Sequence, residues 1–229
     1  MALAVALLAV VLVLAATAFE LSLPGVGDAR RRAANLAAQH REVLLRSPVP
    51  HRLASALVAV EDENFYANPF VDVFAGVLRA GLSTLTTRGD PGGSTIEQQL
   101  CKQLYPQGRD TLASLRELGM GLKLALTQSR AEVLSMYFNV VYFGNRYWGI
   151  KAAAKGYFGT TPQRLSWGQA ALLAGLPQAP TAYDPYRHPR LAKRRQLHVL
   201  DQLVANHYLS RAAASASYRA PLHLVRGHS

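Results

Sequence analysis

Val58–Phe65 reads VAVEDENF, and the fold follows from how this stretch sits among its neighbours. Leu53, Ala56, Leu57 and Val60 recur at helical spacing and predict a helix with one buried face. That face ends in Glu61, Asp62 and Glu63. The 229-residue chain holds only 14 acidic residues, so three in succession are a local exception. A carboxylate at the end of a buried helix is partly desolvated, which raises its pKa and suits it to general-base work. A solvated helix end has the same local sequence, so the stretch gains meaning only from the rest of the chain.

Ser47-Pro48-Val49-Pro50 breaks the chain before this helix. After it, Asn68-Pro69 signals a turn, Val71–Leu85 is again apolar at helical spacing, and Thr86–Gly93 reads as a loop. Gly92–Leu104 is GGSTIEQQLCKQL. Ser94 and Glu97 have the S-x-x-E spacing of a capping box, which predicts a helix start. Glycines before a helix N-terminus permit close approach and favour an anion there. Lys102 and Arg109 could add two positive charges to such a site. A capped surface helix after a flexible loop accounts for the same residues.

Thr111–Leu126 predicts a helix whose acid, Glu117, stands beside Arg116; alone it reads as a solvated charge. A second capping box, Ser129 with Glu132, opens an apolar helix that Gly144 ends. Tyr147–Phe158 is a further short helix, and Thr161-Pro162 marks another start. A third box, Ser166 with Gln169, opens Gln169–Leu176, which Pro177 and Pro180 end. Arg187–Arg195 holds five Lys or Arg residues and reads as a solvated face, or as a surface against anionic lipid. Leu197–Tyr208 is a last amphipathic helix, and residues 213–229 read as a loose tail. Helical patterns throughout, little β signal and no repeats predict an all-α domain over residues 47–212.

Charge and composition narrow the function. The formal charge of +11 and pI near 10.2 draw the chain toward nucleic acid, an anionic membrane surface or a phosphorylated substrate. Aromatics make up only 8% and do not interleave with basic runs, which argues against a base-stacking surface. The single cysteine, Cys101, excludes an intramolecular disulfide and a cysteine-based metal cluster. The seven histidines lack metal-ligand spacing, so no metal site is expected. Ala2–Phe19 is 18 uncharged residues, read as a transmembrane anchor or a signal-peptide core over residues 1–19. Residues 20–46 read as a linker and short helix.

Taken in order, EDENF, GGSTIEQQ, the Glu117 helix, EVLSMYFNVVYFG and the later ALLAGLPQAPTAYDP and RRQLHVLDQL resemble the peptidoglycan glycosyltransferases, glycosyltransferase family 51. The resemblance runs from about Pro48 to Leu209 and is nearest to the monofunctional, membrane-anchored members. It implies a lysozyme-like, two-lobed helical domain behind an N-terminal transmembrane helix. It places that domain on the periplasmic face of a bacterial inner membrane. The implied substrate is lipid II, polymerised into glycan strands with inversion and with undecaprenyl pyrophosphate leaving.

By the same resemblance Glu61 is the general base and Glu117 organises the pyrophosphate site. Asp62, Phe65, Ser94, Thr95, Gln98 and Gln99 would line the cleft, and Lys102, Arg109 and Arg116 would meet the pyrophosphate. No cofactor is required, with a divalent cation, Mg or Mn, at most assisting at the pyrophosphate. The implied partners are lipid II, the growing strand, membrane lipid and other cell-wall synthesis proteins, and no nucleic acid. The chain departs from the family at Asn68 and Phe70, where His and Gly are common, and at Ala113 and Ser114, where a basic pair is usual. Gln103 replaces an Asn, and Glu97 replaces a Thr and adds negative charge near the expected anion site. These departures leave an impaired membrane scaffold that binds lipid II or glycan as the alternative, with a lysozyme-like lytic enzyme behind it.

Overall fold

The structure is a computed structural model that describes residues 17–66, 95–106 and 113–225, together with Leu7, Val10, Val11, Leu14 and Gly108. Residues 17–22 are helical. The helices that follow are α1 (Ala29–Gln39), α2 (His51–Glu61), α3 (Ile96–Leu104), α4 (Ala113–Thr127) and α5 (Arg130–Val140). Then come α6 (Gly149–Phe158), α7 (Trp167–Gly175), α8 (Pro189–Ala205) and α9 (Arg211–Arg219). Among the described residues there is no strand, only an isolated bridge between Tyr142 and Trp148, so the all-α expectation holds. The expected helix Val71–Leu85 lies outside the described residues.

Helix α2 sits at the centre. Leu53 through Ala59 are buried in unbroken succession, so the helix is enclosed on all sides and not on one face. Its small residues let α7 and α8 pack against it. Helix α7 is equally enclosed, with Gly168 and Ala170 through Gly175 buried. On the other side of the molecule α3 packs on α4 and α5, and α1 packs on α5. One continuous core runs through both groups, from Val26 and Leu53 to Leu203 and Ala214.

The capping boxes Ser129–Glu132 and Ser166–Gln169 form as the sequence indicates. The box on α3 is displaced by one residue: Thr95 and Gln98 form it, and Glu97 is used elsewhere. Ser94 lies outside the described residues. Thr161-Pro162 opens a single 3₁₀ turn, Pro162–Arg164, and no longer helix. Helix α8 starts at Pro189 and absorbs most of the basic run. Its inward stripe is Ala192, Arg195, Gln196, Val199, Leu200 and Leu203, so that run is not wholly a solvated face. The stretch expected to be loose instead forms α9, capped by Ser210 and packed on α8 and α7. Beyond it, the Val225 N–H donates to the Tyr157 carbonyl at 2.9 Å.

Among the described residues no helix is long and apolar enough to cross a membrane, and most of residues 1–16 lie outside them. Leu7, Val10, Val11, Leu14 and Leu21 are exposed.

Candidate active site

Glu61 is the last residue of α2, where the carboxylate meets the negative end of the helix dipole as well as a loss of water. Its side chain is 15% exposed. One oxygen, Oε2, accepts from Gln99 Nε2 at 2.9 Å, and the other, Oε1, accepts from Arg195 Nη2 at 3.0 Å. Burial is the largest influence and raises the Glu61 pKa; the Gln99 hydrogen bond, the Arg195 guanidinium and His198 work against it. Burial and the Arg195 charge hold the His198 pKa down, so at neutral pH His198 is uncharged and the opposing charge comes from Arg195.

The groups that hold Glu61 are themselves held. Tyr137 Oη donates to Gln99 Oε1 at 3.1 Å, which turns the amide nitrogen toward Glu61. Burial and the Glu61 charge raise the Tyr137 pKa well above that of an ordinary phenol, so the hydroxyl stays a donor. Arg195 Nε donates to the Gly175 carbonyl at 3.0 Å. A Cβ at Gly175 would lie 2.7 Å from Arg195 Cγ, so only glycine lets α8 approach α7 this closely.

Helix α3 brings the second carboxylate to the same region. Gln99 and Lys102 are three residues apart and share one side of α3. Gln99 meets Glu61, and Lys102 Nζ lies 3.4 Å from Glu117 Oε2. Glu117 and Gly121 share one face of α4 in the same way. A Cβ at Gly121 would lie 2.9 Å from Gln98 Cγ, so α4 closes onto the first turn of α3 at a separation that needs glycine. Lys102 is half-exposed, and a pair of this kind contributes about 0–1 kcal/mol, which leaves its ammonium available to another anion.

The other expected site residues divide by task. Asp62 Oδ2 accepts from the Ile96 N–H at 3.2 Å and so binds the N-terminus of α3 to the end of α2. Thr95 and Gln98 are engaged in the capping box. Phe65 is fully buried beneath the Arg130 guanidinium, 5.0 Å from its ring centre, so it supports the site from inside the core. Arg116 is half-buried near the start of α4. Ser94, Arg109, Asn68 and Phe70 lie outside the described residues. Glu97 is 3% exposed and ion-paired with Arg130, so its charge is neutralised inside the α3–α5 contact instead of being presented to an anion. Burial, then Glu97 and Glu117, pushes the Cys101 thiol up to about 12, which keeps it an uncharged core residue.

Arg195, Tyr137 and Arg130 carry roles that the sequence reading did not assign. Arg195 had a readable signal, because it falls on the apolar stripe of α8 between Ala192 and Val199. Among the described residues no cluster of three or more His, Cys, Asp or Glu side chains is placed to hold a metal ion.

The chain matches the family described as Transglycosylase over residues 29–204. It is 34% identical over 177 residues to a protein of Cupriavidus necator that carries the name transglycosylase, covering 77% of this chain and 76% of that one. It is also 34% identical over 190 residues to penicillin-binding protein 1A of Neisseria gonorrhoeae, covering 82% of this chain and 24% of that one. A crystal structure of penicillin-binding protein 1A from Haemophilus influenzae superposes with a TM-score of 0.49 at 20% identity, covering 81% of this chain and 18% of that one. With Glu61 and Glu117 each held by a side chain of α3, Gln99 and Lys102, and with the family matched over residues 29–204, the chain belongs to the peptidoglycan transglycosylases and is a peptidoglycan glycosyltransferase.

Proposed function

We propose that the chain polymerises lipid II, with Glu61 as general base and undecaprenyl pyrophosphate as leaving group. The observation that carries this is the Glu61 carboxylate: buried, raised in pKa, and held at both oxygens by Gln99 and Arg195. A base must be ionised before it acts and basic enough to take a proton. Burial supplies the basicity, and Arg195 keeps the ionised form accessible. Each carboxylate oxygen has a second lone pair, so the two hydrogen bonds leave room for the 4-hydroxyl of the acceptor sugar. That oxygen attacks the anomeric carbon of the donor, its proton passes to Glu61, and the carbon–oxygen bond to the pyrophosphate breaks with inversion.

The leaving pyrophosphate needs positive charge where its own charge develops. Lys102, on the same side of α3 as Gln99, meets that need, and Glu117 orients it at 3.4 Å. Arg116 and Arg109 complete the cationic set in this reading. In this reading no cofactor is required, and a divalent cation, Mg or Mn, would at most assist at the pyrophosphate. The exposed apolar residues Leu7, Val10, Val11 and Leu14 support the reading of residues 1–19 as an anchor that keeps the domain at the outer face of the inner membrane, beside its lipid-linked substrate. Other cell-wall synthesis proteins are natural neighbours there.

Purified protein in detergent, given lipid II beside Glu61→Gln and analysed for product size, tests this. Polymer from the parent alone is the expected result. Polymer from both removes Glu61 as the base. The first turn of α4 carries Ala113 and Ser114 in place of a basic pair, which favours one second reading, a lipid II-binding scaffold. Binding without polymer from either protein is its signature.

A further inference from the structure

We propose that the cavity between the Gly144–Tyr147 turn and the Pro180–Arg187 loop is a second glycan subsite, one that takes an acidic peptidoglycan strand. The proposal rests on the assignment of the chain as a peptidoglycan glycosyltransferase and adds a place for the polymer.

The cavity measures about 940 Å³ and is walled by Tyr142, Tyr147 and Tyr186, with Arg146 and Arg187 exposed at its edges. Its floor is built and not incidental. Asp184 is 4% exposed, and its Oδ1 accepts from Asn145 Nδ2 at 3.0 Å and from the Tyr186 N–H at 2.9 Å. Asn145 Nδ2 also donates to Tyr157 Oη at 2.9 Å, and Tyr157 Oη donates to the Phe143 carbonyl at 2.8 Å.

This network fixes an unfavourable backbone. Gly144, Asn145 and Arg146 have φ of 84°, 49° and 62°, three left-handed residues in succession. Asparagine tolerates that region and glycine prefers it, but an arginine there is strained. Such strain persists only where its surroundings over-determine it, and it gathers at binding sites. Its effect here is to hold the Arg146 side chain at the cavity edge.

The chemistry selects the occupant. Tyrosine rings offer apolar faces with polar edges, which suit the faces and hydroxyls of sugar rings. Guanidinium groups suit carboxylates. Arg187 Nε lies 3.7 Å from Asp184 Oδ2, outside hydrogen-bond reach, and its side chain is 77% exposed, so it retains donors for a ligand. A peptidoglycan strand carries both features, sugar rings and the carboxylates of its peptide stems.

Position links the cavity to Glu61. Pro180 is five residues beyond Gly175, so it lies at most about 18 Å from the carbonyl that anchors Arg195. Tyr183, in the same loop, has its ring 5.8 Å from the Arg195 guanidinium. One side of the loop therefore faces the group that holds Glu61, and the other side walls the cavity.

The test measures binding of two soluble probes to the full chain by calorimetry: a tetrasaccharide peptidoglycan fragment with free peptide carboxylates, and neutral chitotetraose. The double variant Arg146→Gly, Arg187→Gln removes both guanidiniums, and glycine suits the backbone at position 146. The acidic fragment is expected to bind wild type and Glu61→Gln alike and the double variant about tenfold more weakly, with little change for chitotetraose. Equal affinity of wild type and double variant for the acidic fragment overturns the proposal, as does loss of the fragment in Glu61→Gln. Fragment loss in the double variant while the wild type makes no polymer from lipid II keeps the subsite and removes the lipid II reading. Polymer from the wild type with no selective loss in the double variant does the reverse.

Discussion

Replacing Arg195 with methionine isolates what the buried guanidinium does for Glu61. Methionine keeps an unbranched stem to pack on Gly175 and removes only the charge and its donors. The two side chains are 8% and 15% exposed, so solvent screens the pair little. Two unit charges roughly 4 Å apart interact by about 4 kcal/mol at an effective dielectric of about 20, equivalent to about 3 pKa units if fully expressed. Gln99 remains, and water entering the vacated space recovers part of the loss, so an upward shift of about 1–2 units is expected. The direction follows because Arg195 is one of the groups that lower a pKa already raised by burial. The assay is the pH dependence of kcat/KM for lipid II polymerisation. The acid limb should move to higher pH by about 1–2 units, each unit being a tenfold loss below it, with most of the activity recovered above it. Stability should fall by only about 1–3 kcal/mol, less than for a stranded charge, because Glu61 can take up a proton instead. A uniform loss of activity at every pH, with the limb unmoved, would refute the idea that Arg195 governs the ionisation of Glu61.

Other sites give sharper structural tests. Arg130→Met removes the guanidinium that is ion-paired with the buried Glu97 and should cost about 3–5 kcal/mol in urea unfolding, with Glu97→Gln on top restoring much of it. Tyr137→Phe frees the Gln99 amide to rotate; kcat should fall about three- to tenfold while unfolding changes by about 1 kcal/mol, and an unchanged kcat would show that the hydroxyl does not orient Gln99. Gly175→Ala places a methyl 2.7 Å from Arg195 Cγ and should reproduce the Arg195→Met pH profile; a wild-type profile would mean that the helices separate without disturbing Arg195. Glu61 also predicts a pH-dependent stability difference. Its folded pKa is raised, so its contribution is full below the unfolded value near 4.5 and is lost as pH rises through the folded value. Wild type should therefore lose stability relative to Glu61→Gln as pH rises above about 4.5, and a relative gain would show the Glu61–Arg195 pair to be net stabilising.

Local signals made much of the fold legible, and the exceptions have a common cause. Ser129–Glu132 and Ser166–Gln169 form because each cap and its partner have no competing use. In GGSTIEQQ two boxes overlap, Ser94 with Glu97 and Thr95 with Gln98, and the local sequence cannot rank them. The choice is made by Arg130, 33 residues further on, which takes Glu97 into the core and leaves Thr95 and Gln98 to cap α3. The enclosure of α2 was equally hidden, since Ala54, Ser55 and Ala59 read as spacers until α7 and α8 cover them. The proposed base, Glu61, was readable as an acid at an apolar helix end. Its partner was obscured by its neighbours: Arg195 closes a run of five basic residues, and only the period of α8 separates it from Arg194, which does not share its inward stripe.

The same pattern explains why the site needs the whole fold. A solvated carboxylate at position 61 would be a weak base, and a buried one without a counter-charge would stay protonated and accept nothing. The working state lies between these, set by burial from α7 and α8 on one side and by Gln99 and Arg195 on the other. Those partners stand 38 and 134 residues from Glu61, on α3 and α8. Asp62 ties α2 to α3 by binding the N-terminus of α3 directly after Glu61. A peptide spanning α2 alone carries the acid but not its pKa. The basicity of Glu61 is a property of α2, α3, α7 and α8 packed together, and any change that loosens one of these contacts should appear first in the acid limb of the activity profile.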